Sequence, residues 1–189
     1  MLNVAVLCSK RAPGLEALRE RVHVSCVLDR QLPRRADRES FDAETASLLL
    51  PYDVDAVILL SYLYILTDPM LETFPGRILN VHDSDLALRN DDGGPRYPGL
   101  HATCDAINAG EHETRSSVHL VTKHPDAGPV LARSNAFPVA PFVSVAAVRG
   151  EQDIVRAYAY AQREWMMRST WGALASEALG RLIPQKAAA

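Results

Sequence analysis

The stretch Val54 to Leu60 (VDAVILL) is apolar almost without interruption. A strand with one wet face alternates polar and apolar residues, whereas a strand covered on both faces does not, and strands of that kind belong to parallel sheets flanked by helices. The stretch is therefore read as the centre of such a sheet. Strand-like and helix-like segments alternate around it. Asn3 to Cys8 is a short apolar run, followed by the loop Ser9-Lys10-Arg11-Ala12-Pro13-Gly14 and a helical pattern over Leu15 to Arg21. Val22 to Leu28 reads as a second strand, Gln31 to Ser40 as a polar connection, and Phe41 to Leu50 as a helix with Ser40 at its N-cap and Glu44 one turn on.

Beyond the central strand, Asp68 to Phe74 reads as a short helix with Pro69 in its first turn, and Arg77 to His82 as a further strand. Leu86 to Tyr97 carries Asn90-Asp91-Asp92-Gly93-Gly94-Pro95, a composition read as a mobile loop. Leu100 to Ala109 is expected to be a helix closed by Gly110. Ser116 to Val121 and Val130 to Phe137 are expected strands, separated by a turn at Pro125 to Pro129. From Glu151 onward Ile154, Tyr158, Ala161, Trp165, Trp171, Leu174 and Leu179 recur at helical spacing, giving one long or two short amphipathic helices in which the tryptophans serve as packing anchors. The expected architecture is α/β: an open, mostly parallel, Rossmann-like sheet with helices on both faces, in one domain over residues 1–189 with a helical segment from about 151. Ligands of such sheets sit where strands give way to loops. That directs attention to the loops after Leu7, Leu60, His82 and Val121.

Composition removes several functional classes. The net charge is −3 with both signs interspersed, and the cluster Arg30, Arg34, Arg35 and Arg38 is followed by Asp37, Glu39 and Asp42, so neither nucleic acid nor a membrane surface is an expected partner. The first apolar run stops by Ser9 without a charged leader or a small-residue cleavage pattern, and no run approaches the roughly 18 residues of a membrane span. Three cysteines without CxxC spacing fit reduced thiols in a cytoplasm. His82, Asp83, Asp85, His101, His112, His119 and His124 include metal-ligand types, but no HxxxH or HExxH spacing occurs and no metal is expected.

The chemistry is sought at Asn80 and His82. Two apart on a strand, they share a face, and together they offer an amide donor and an imidazole to a developing oxyanion. Taken alone, such a pair is more commonly two satisfied polar residues at a strand end. The surrounding text adds to it. Tyr62-Leu63-Tyr64-Ile65-Leu66, Gly76-Arg77-Ile78-Leu79-Asn80-Val81-His82, Tyr97-Pro98-Gly99-Leu100-His101, Ser116-Ser117-Val118-His119-Leu120-Val121 and Asp126-Ala127-Gly128-Pro129-Val130-Leu131 stand in the order and spacing of the phosphoribosylglycinamide formyltransferases. Over roughly residues 41–140 the chain resembles the folate-dependent formyltransferase family.

That resemblance implies transfer of a one-carbon formyl group from 10-formyltetrahydrofolate to a small primary amine, with Asn80, His82 and Asp126 as the reaction centre. It implies that the pterin is gripped by the backbone of Leu63, Tyr64, Ile65 and Leu66 and of the turn Asp126, Ala127 and Gly128, where the missing Cβ of Gly128 lets a ligand approach. It places the acceptor at the loop Ser9, Lys10 and Arg11, and leaves room for a homodimer. His119, inside an alternating strand, is expected to be a hydrogen-bonded supporting or core histidine.

The chain also departs from the family pattern. The loop after the first strand lacks the Gly-Ser-Asn richness that cradles a phosphate, although Lys10 and Arg11 keep positive charge there. After His82 come Asp83-Ser84-Asp85 and then the inserted Asn90 to Pro95 loop; two carboxylates in that place would repel a phosphate and suit a cationic acceptor such as an amino sugar or amino acid derivative. Arg115 and Ser116 replace the usual glycine before Ser-Val-His. Two rival expectations remain: hydrolysis of the formyl donor in the same pocket, and a folate- or nucleotide-binding protein without transfer.

Overall fold

Six strands form the main sheet in the order β2-β1-β3-β4-β6-β7. They are β1 (Asn3–Cys8), β2 (His23–Asp29), β3 (Ala56–Leu60), β4 (Ile78–His82), β6 (Ser117–Leu120) and β7 (Val130–Arg133). The computed structural model describes residues 2–182; Met1 and residues 183–189 of the domain expected over 1–189 lie outside the described residues. β1 to β4 pair in parallel, β6 is antiparallel to both neighbours, and β7 is thereby returned to the common direction. The sheet is mostly parallel, as expected, with β6 alone reversed within it.

The alternation of side chains divides two cores. Val4, Val6, Ile58, Leu60, Leu79 and Val81 face one side, where Leu18 of α1 (Leu15–Arg19) and Met167, Trp171 and Leu174 of α6 (Gln152–Leu182) pack on them. Ala5, Leu7, Val57, Leu59 and Ile78 face the other, under Ala46 and Leu49 of α2 (Arg38–Leu49) and Met70 of α3 (Asp68–Thr73). Each fully buried Leu or Ile contributes about 1.5–3 kcal/mol, which is why β3 carries no alternation: both its faces are covered. α1 and α6 meet backbone to backbone. A Cβ on Gly14 would come 2.5 Å from the Gly172 nitrogen, and one on Gly172 would come 2.3 Å from the Gly14 carbonyl oxygen.

Several local expectations are corrected. α2 begins at Arg38 and is capped by Asp37, whose carboxylate accepts from the Ser40 amide at 2.7 Å; Ser40 is inside the helix. The expected strand from Val130 to Phe137 is interrupted after Arg133. Ser134 bonds back to Ser116, and Phe137–Pro138 (β8) forms a separate ladder with Glu113–Thr114 (β5). α4 spans Ala102–Asn108, and the unanticipated α5 spans Pro141–Val148 with proline in its first turn. The C-terminal segment is one helix of 31 residues. Trp171 is its buried anchor and donates from Nε1 to Ser116 Oγ at 3.0 Å, whereas Trp165 is half exposed and meets Phe137 edge-on.

The segment read as a mobile loop is a closed hairpin turn. Arg96 donates to the Leu88 carbonyl at 3.0 Å, Asn90 to the Gly94 carbonyl at 2.9 Å, and Gly94 to Asp92 Oδ1 at 2.8 Å. The turn residues of the sequence serve that closure. Gly93 takes the left-handed φ of 81° that the turn requires.

Candidate active site

Asn80 and His82 both point to the α2/α3 side of the sheet and line a cleft there. β6 supplies the third polar group on this face, because its antiparallel register sets His119 opposite Asn80. His119 Nδ1 lies 3.1 Å from the Leu120 carbonyl oxygen, and its Nε2 lies 3.1 Å from Asn80 Nδ2. A carbonyl only accepts, so Nδ1 carries the proton and Nε2 accepts from the Asn80 amide. Burial pushes the His119 pKa down to about 4, opposed by Asp126 and assisted by His82. A neutral ring thus fixes the direction of the Asn80 amide and leaves its second N–H free for a ligand.

Asp126 arrives by an indirect route. The reversed β6 carries the chain away from His82, and Val121 donates to the Ile78 carbonyl at the other end of β4. Residues 122–129 then double back over the sheet face. Gly128 permits it: a Cβ there would lie 1.8 Å from the Leu120 carbonyl oxygen. The close approach expected of this glycine exists, but toward β6 rather than toward the cleft. Asp126 takes the left-handed φ of 55°, and its Oδ2 accepts from the Gly99 amide at 2.9 Å. The same Oδ2 is 3.7 Å from His82 Nε2, and Oδ1 is 3.7 Å from His119 Nε2. These are ion-pair distances, longer than hydrogen bonds. His82 Nε2 is buried without any hydrogen-bond partner, which marks it as a group held for something the protein does not supply.

The cleft has a volume of about 390 Å³, with Asn80, His82, His119 and Asp126 at one end. Leu63, Tyr64, Ile65 and Leu66 form a wall, and Leu100 stands at the rim. Leu63, Ile65 and Leu100 remain 47%, 65% and 60% exposed, an apolar lining that a flat ring system would cover. Of the residues expected to grip the donor, these four wall residues and Asp126 border the cleft, whereas Ala127 and Gly128 do not.

The loop expected to hold the acceptor makes several contacts with the rest of the protein. Ser9 is buried and its hydroxyl meets the Arg30 carbonyl at 3.3 Å and the Leu63 amide at 3.4 Å. The Lys10 amide donates to Asp29 at 2.8 Å, and Arg11 pairs with Glu164 of α6 through both of its terminal nitrogens. The Ser9 hydroxyl, the Lys10 amide and the Arg11 guanidinium are thus engaged by groups of the protein itself.

The carboxylates after His82 are also corrected. Asp83 is buried against Arg163 at 2.9 Å and Thr103 at 3.1 Å, and Asp85 pairs with Arg133 and, at 3.6 Å, with Arg115. Their charge is compensated by arginines distant in sequence, and neither lines the cleft. The expected repulsion of a phosphate by bare carboxylates therefore loses its basis. Arg115 itself is occupied by Glu113 and the Ser134 carbonyl.

A sheet of this topology with an asparagine, two histidines and an aspartate at one end of an apolar cleft defines a class, and comparison with known proteins gives its name. The family model described as "Formyl transferase" matches residues 2–174, and the chain belongs to that family. It is 36% identical over 97 residues to the phosphoribosylglycinamide formyltransferase of Escherichia coli strain K12, covering 51% of this chain and 42% of that protein. It is 35% identical over 106 residues to the trifunctional purine biosynthetic protein adenosine-3 of Drosophila melanogaster, covering 56% of this chain and 7% of that protein. The match thus spans less than half the length of either relative. Among solved structures, glycinamide ribonucleotide transformylase 1 of Symbiobacterium toebii superposes with a TM-score of 0.65 at 27% identity, over 85% of this chain and 89% of that one.

Proposed function

We propose that this protein transfers a formyl group from 10-formyltetrahydrofolate to a small primary amine, with glycinamide ribonucleotide as the first acceptor to try. The observation that carries the reading is the meeting of Asn80, His82 and Asp126 at the end of an apolar cleft, with His82 Nε2 buried and unpartnered. The apolar wall from Leu63 to Leu66 fits a pterin ring, and the backbone groups of Tyr64 and Leu66 within that wall supply its polar contacts.

In the reaction the amine nitrogen bonds to the formyl carbon, the bond from that carbon to the folate nitrogen breaks, and a proton passes from the amine to the leaving nitrogen. Negative charge gathers on the formyl oxygen on the way. The free N–H of Asn80 and a protonated Nε2 of His82 stabilise that oxygen, while His119 keeps the amide aimed. Asp126, held by the Gly99 amide, takes up the amine proton directly or through one water. We place the protein in the cytoplasm, where its three free cysteines stay reduced; no helix of the described residues is long and apolar enough to cross a membrane.

The test is donor turnover against a panel of amines that includes glycinamide ribonucleotide, with folate binding followed in parallel. Amine-dependent turnover, reduced about a hundredfold or more in His82→Ala with folate binding retained, is the expected result. Turnover that ignores added amines assigns hydrolysis instead, and folate binding without turnover assigns a binding protein. Failure to bind any folate ends the reading.

A further inference from the structure

The cleft wall from Leu63 to Leu66 has no regular secondary structure, yet it must present fixed groups to a donor. Three anchors on alternate residues hold it from behind. The Leu63 amide meets the Ser9 hydroxyl at 3.4 Å. The Ile65 carbonyl accepts from Arg38 of α2. Thr67 donates from its amide at 2.7 Å and from its hydroxyl at 2.8 Å to one oxygen of Asp42, one helical turn after Arg38. Asp42 is completely buried and 3.5 Å from Arg38, so a single turn of α2 grips the wall with one cation and one anion.

Several features show that this grip is a polar device rather than incidental packing. The side chain of Asp42 is 0% exposed, and one of its oxygens, Oδ2, takes both Thr67 donors and faces the Arg38 guanidinium, partners of the kind a buried carboxyl group requires. The Arg38 guanidinium also lies 5.3 Å from the centre of the Tyr64 ring, stacking on the wall residue between the anchors. Tyr62, at the start of the segment, turns its hydroxyl inward, where burial and the Asp42 charge push its pKa up to about 12. The anchors take the amides of residues 63 and 67 and the carbonyl of residue 65. The backbone groups of Tyr64 and Leu66, between the anchors, have no hydrogen bond within the described residues, and both residues line the cleft.

Resting on the formyl-transfer reading, we propose that Asp42 is a positioning residue for the donor: through Thr67, and with Arg38 on Ile65, it presets the Leu63–Leu66 backbone as a recognition edge for the folate ring. Asp42 touches neither donor nor reacting atoms. Its influence falls on donor affinity, because a loosened edge must be reordered at each binding event. The chemical step, run by Asn80, His82 and Asp126 on other elements, is left intact once the donor is seated.

The experiment compares wild type, Asp42→Asn and Thr67→Val, all as the full chain. Calorimetry with tetrahydrofolate gives donor affinity, kinetics with 10-formyltetrahydrofolate and an active amine separate kcat from KM, and thermal melts report folding. Asp42→Asn is expected to raise Kd and donor KM by about tenfold, the loss of one charge-assisted bond, with kcat and the acceptor KM held within about twofold. Thr67→Val removes the hydroxyl contact but keeps the amide contact, and is expected to give a smaller rise of the same kind. Folded variants that bind tetrahydrofolate as tightly as wild type, or that lose kcat instead of affinity, overturn the proposal. If Asp42→Asn does not fold, an unchanged Kd in Thr67→Val overturns it alone. Wild type that binds no folate fails differently, since it removes the formyl-transfer reading itself.

Discussion

Acidification is expected to weaken this fold through one residue, His119. Its pKa is lowered from 6.5 to about 4, first by burial. At about 1.4 kcal/mol per unit, the shift amounts to roughly 3 kcal/mol. Between those two values the unfolded chain binds a proton at this histidine and the folded chain does not. Stability is therefore fully present above about pH 6.5 and is lost as the pH falls toward about 4. A proton forced onto Nε2 also removes the acceptor that holds the Asn80 amide. Urea unfolding at a series of pH values from 7 to 4, run on wild type and on His119→Gln, reads the effect of this ring together with its coupling to Asp126 and His82, because groups that do not interact with it cancel in the difference. Wild type is expected to lose roughly 3 kcal/mol more than the variant over that span. Parallel pH dependences, or a His119 ring resonance titrating at 6.5 or above, refute the reasoning.

Two further substitutions probe the scaffold of the site. Gly128→Ala puts a methyl group 1.8 Å from the Leu120 carbonyl oxygen, and is expected to cost at least about 2 kcal/mol in denaturant unfolding and to impair turnover by displacing Asp126. Arg163→Met leaves the buried Asp83 carboxylate without its cation, an expected loss of about 3–5 kcal/mol; adding Asp83→Asn is expected to restore most of it in the same melts.

What the sequence disclosed and what it hid follow from the range of each interaction. β3 was legible because burial on both faces writes itself into consecutive residues, and Asn80 with His82 because a two-residue period fixes their common face. The supporting place of His119 was legible from its alternating strand and is realised as the bond to Asn80. The direction of β6 was not, since alternation reads the same in either direction; only pairing with β4 sets it. The partners of Asp83 and Asp85 were hidden for another reason. Arg163 lies 80 positions from Asp83 and Arg133 lies 48 from Asp85, so the local text shows bare carboxylates where the fold has ion pairs. α5 escaped because Pro141–Val148 is apolar on nearly every side and carries no helical period. Asp42 escaped because nothing in a helical pattern tells which polar residue turns inward.

The reversal of β6 divides the machinery into separately adjustable parts. The amide and the imidazole ride on β4, whose neighbours on both sides fix its place, whereas the carboxylate rides on a turn that leaves from the opposite end and comes back. Lengthening that turn by a single residue would shift the acid by about 3.3 Å and leave the two nitrogen groups where they stand. On the formyl-transfer reading, changed turns thus offer this architecture a way to retune proton handling while its means of polarising a carbonyl stay fixed.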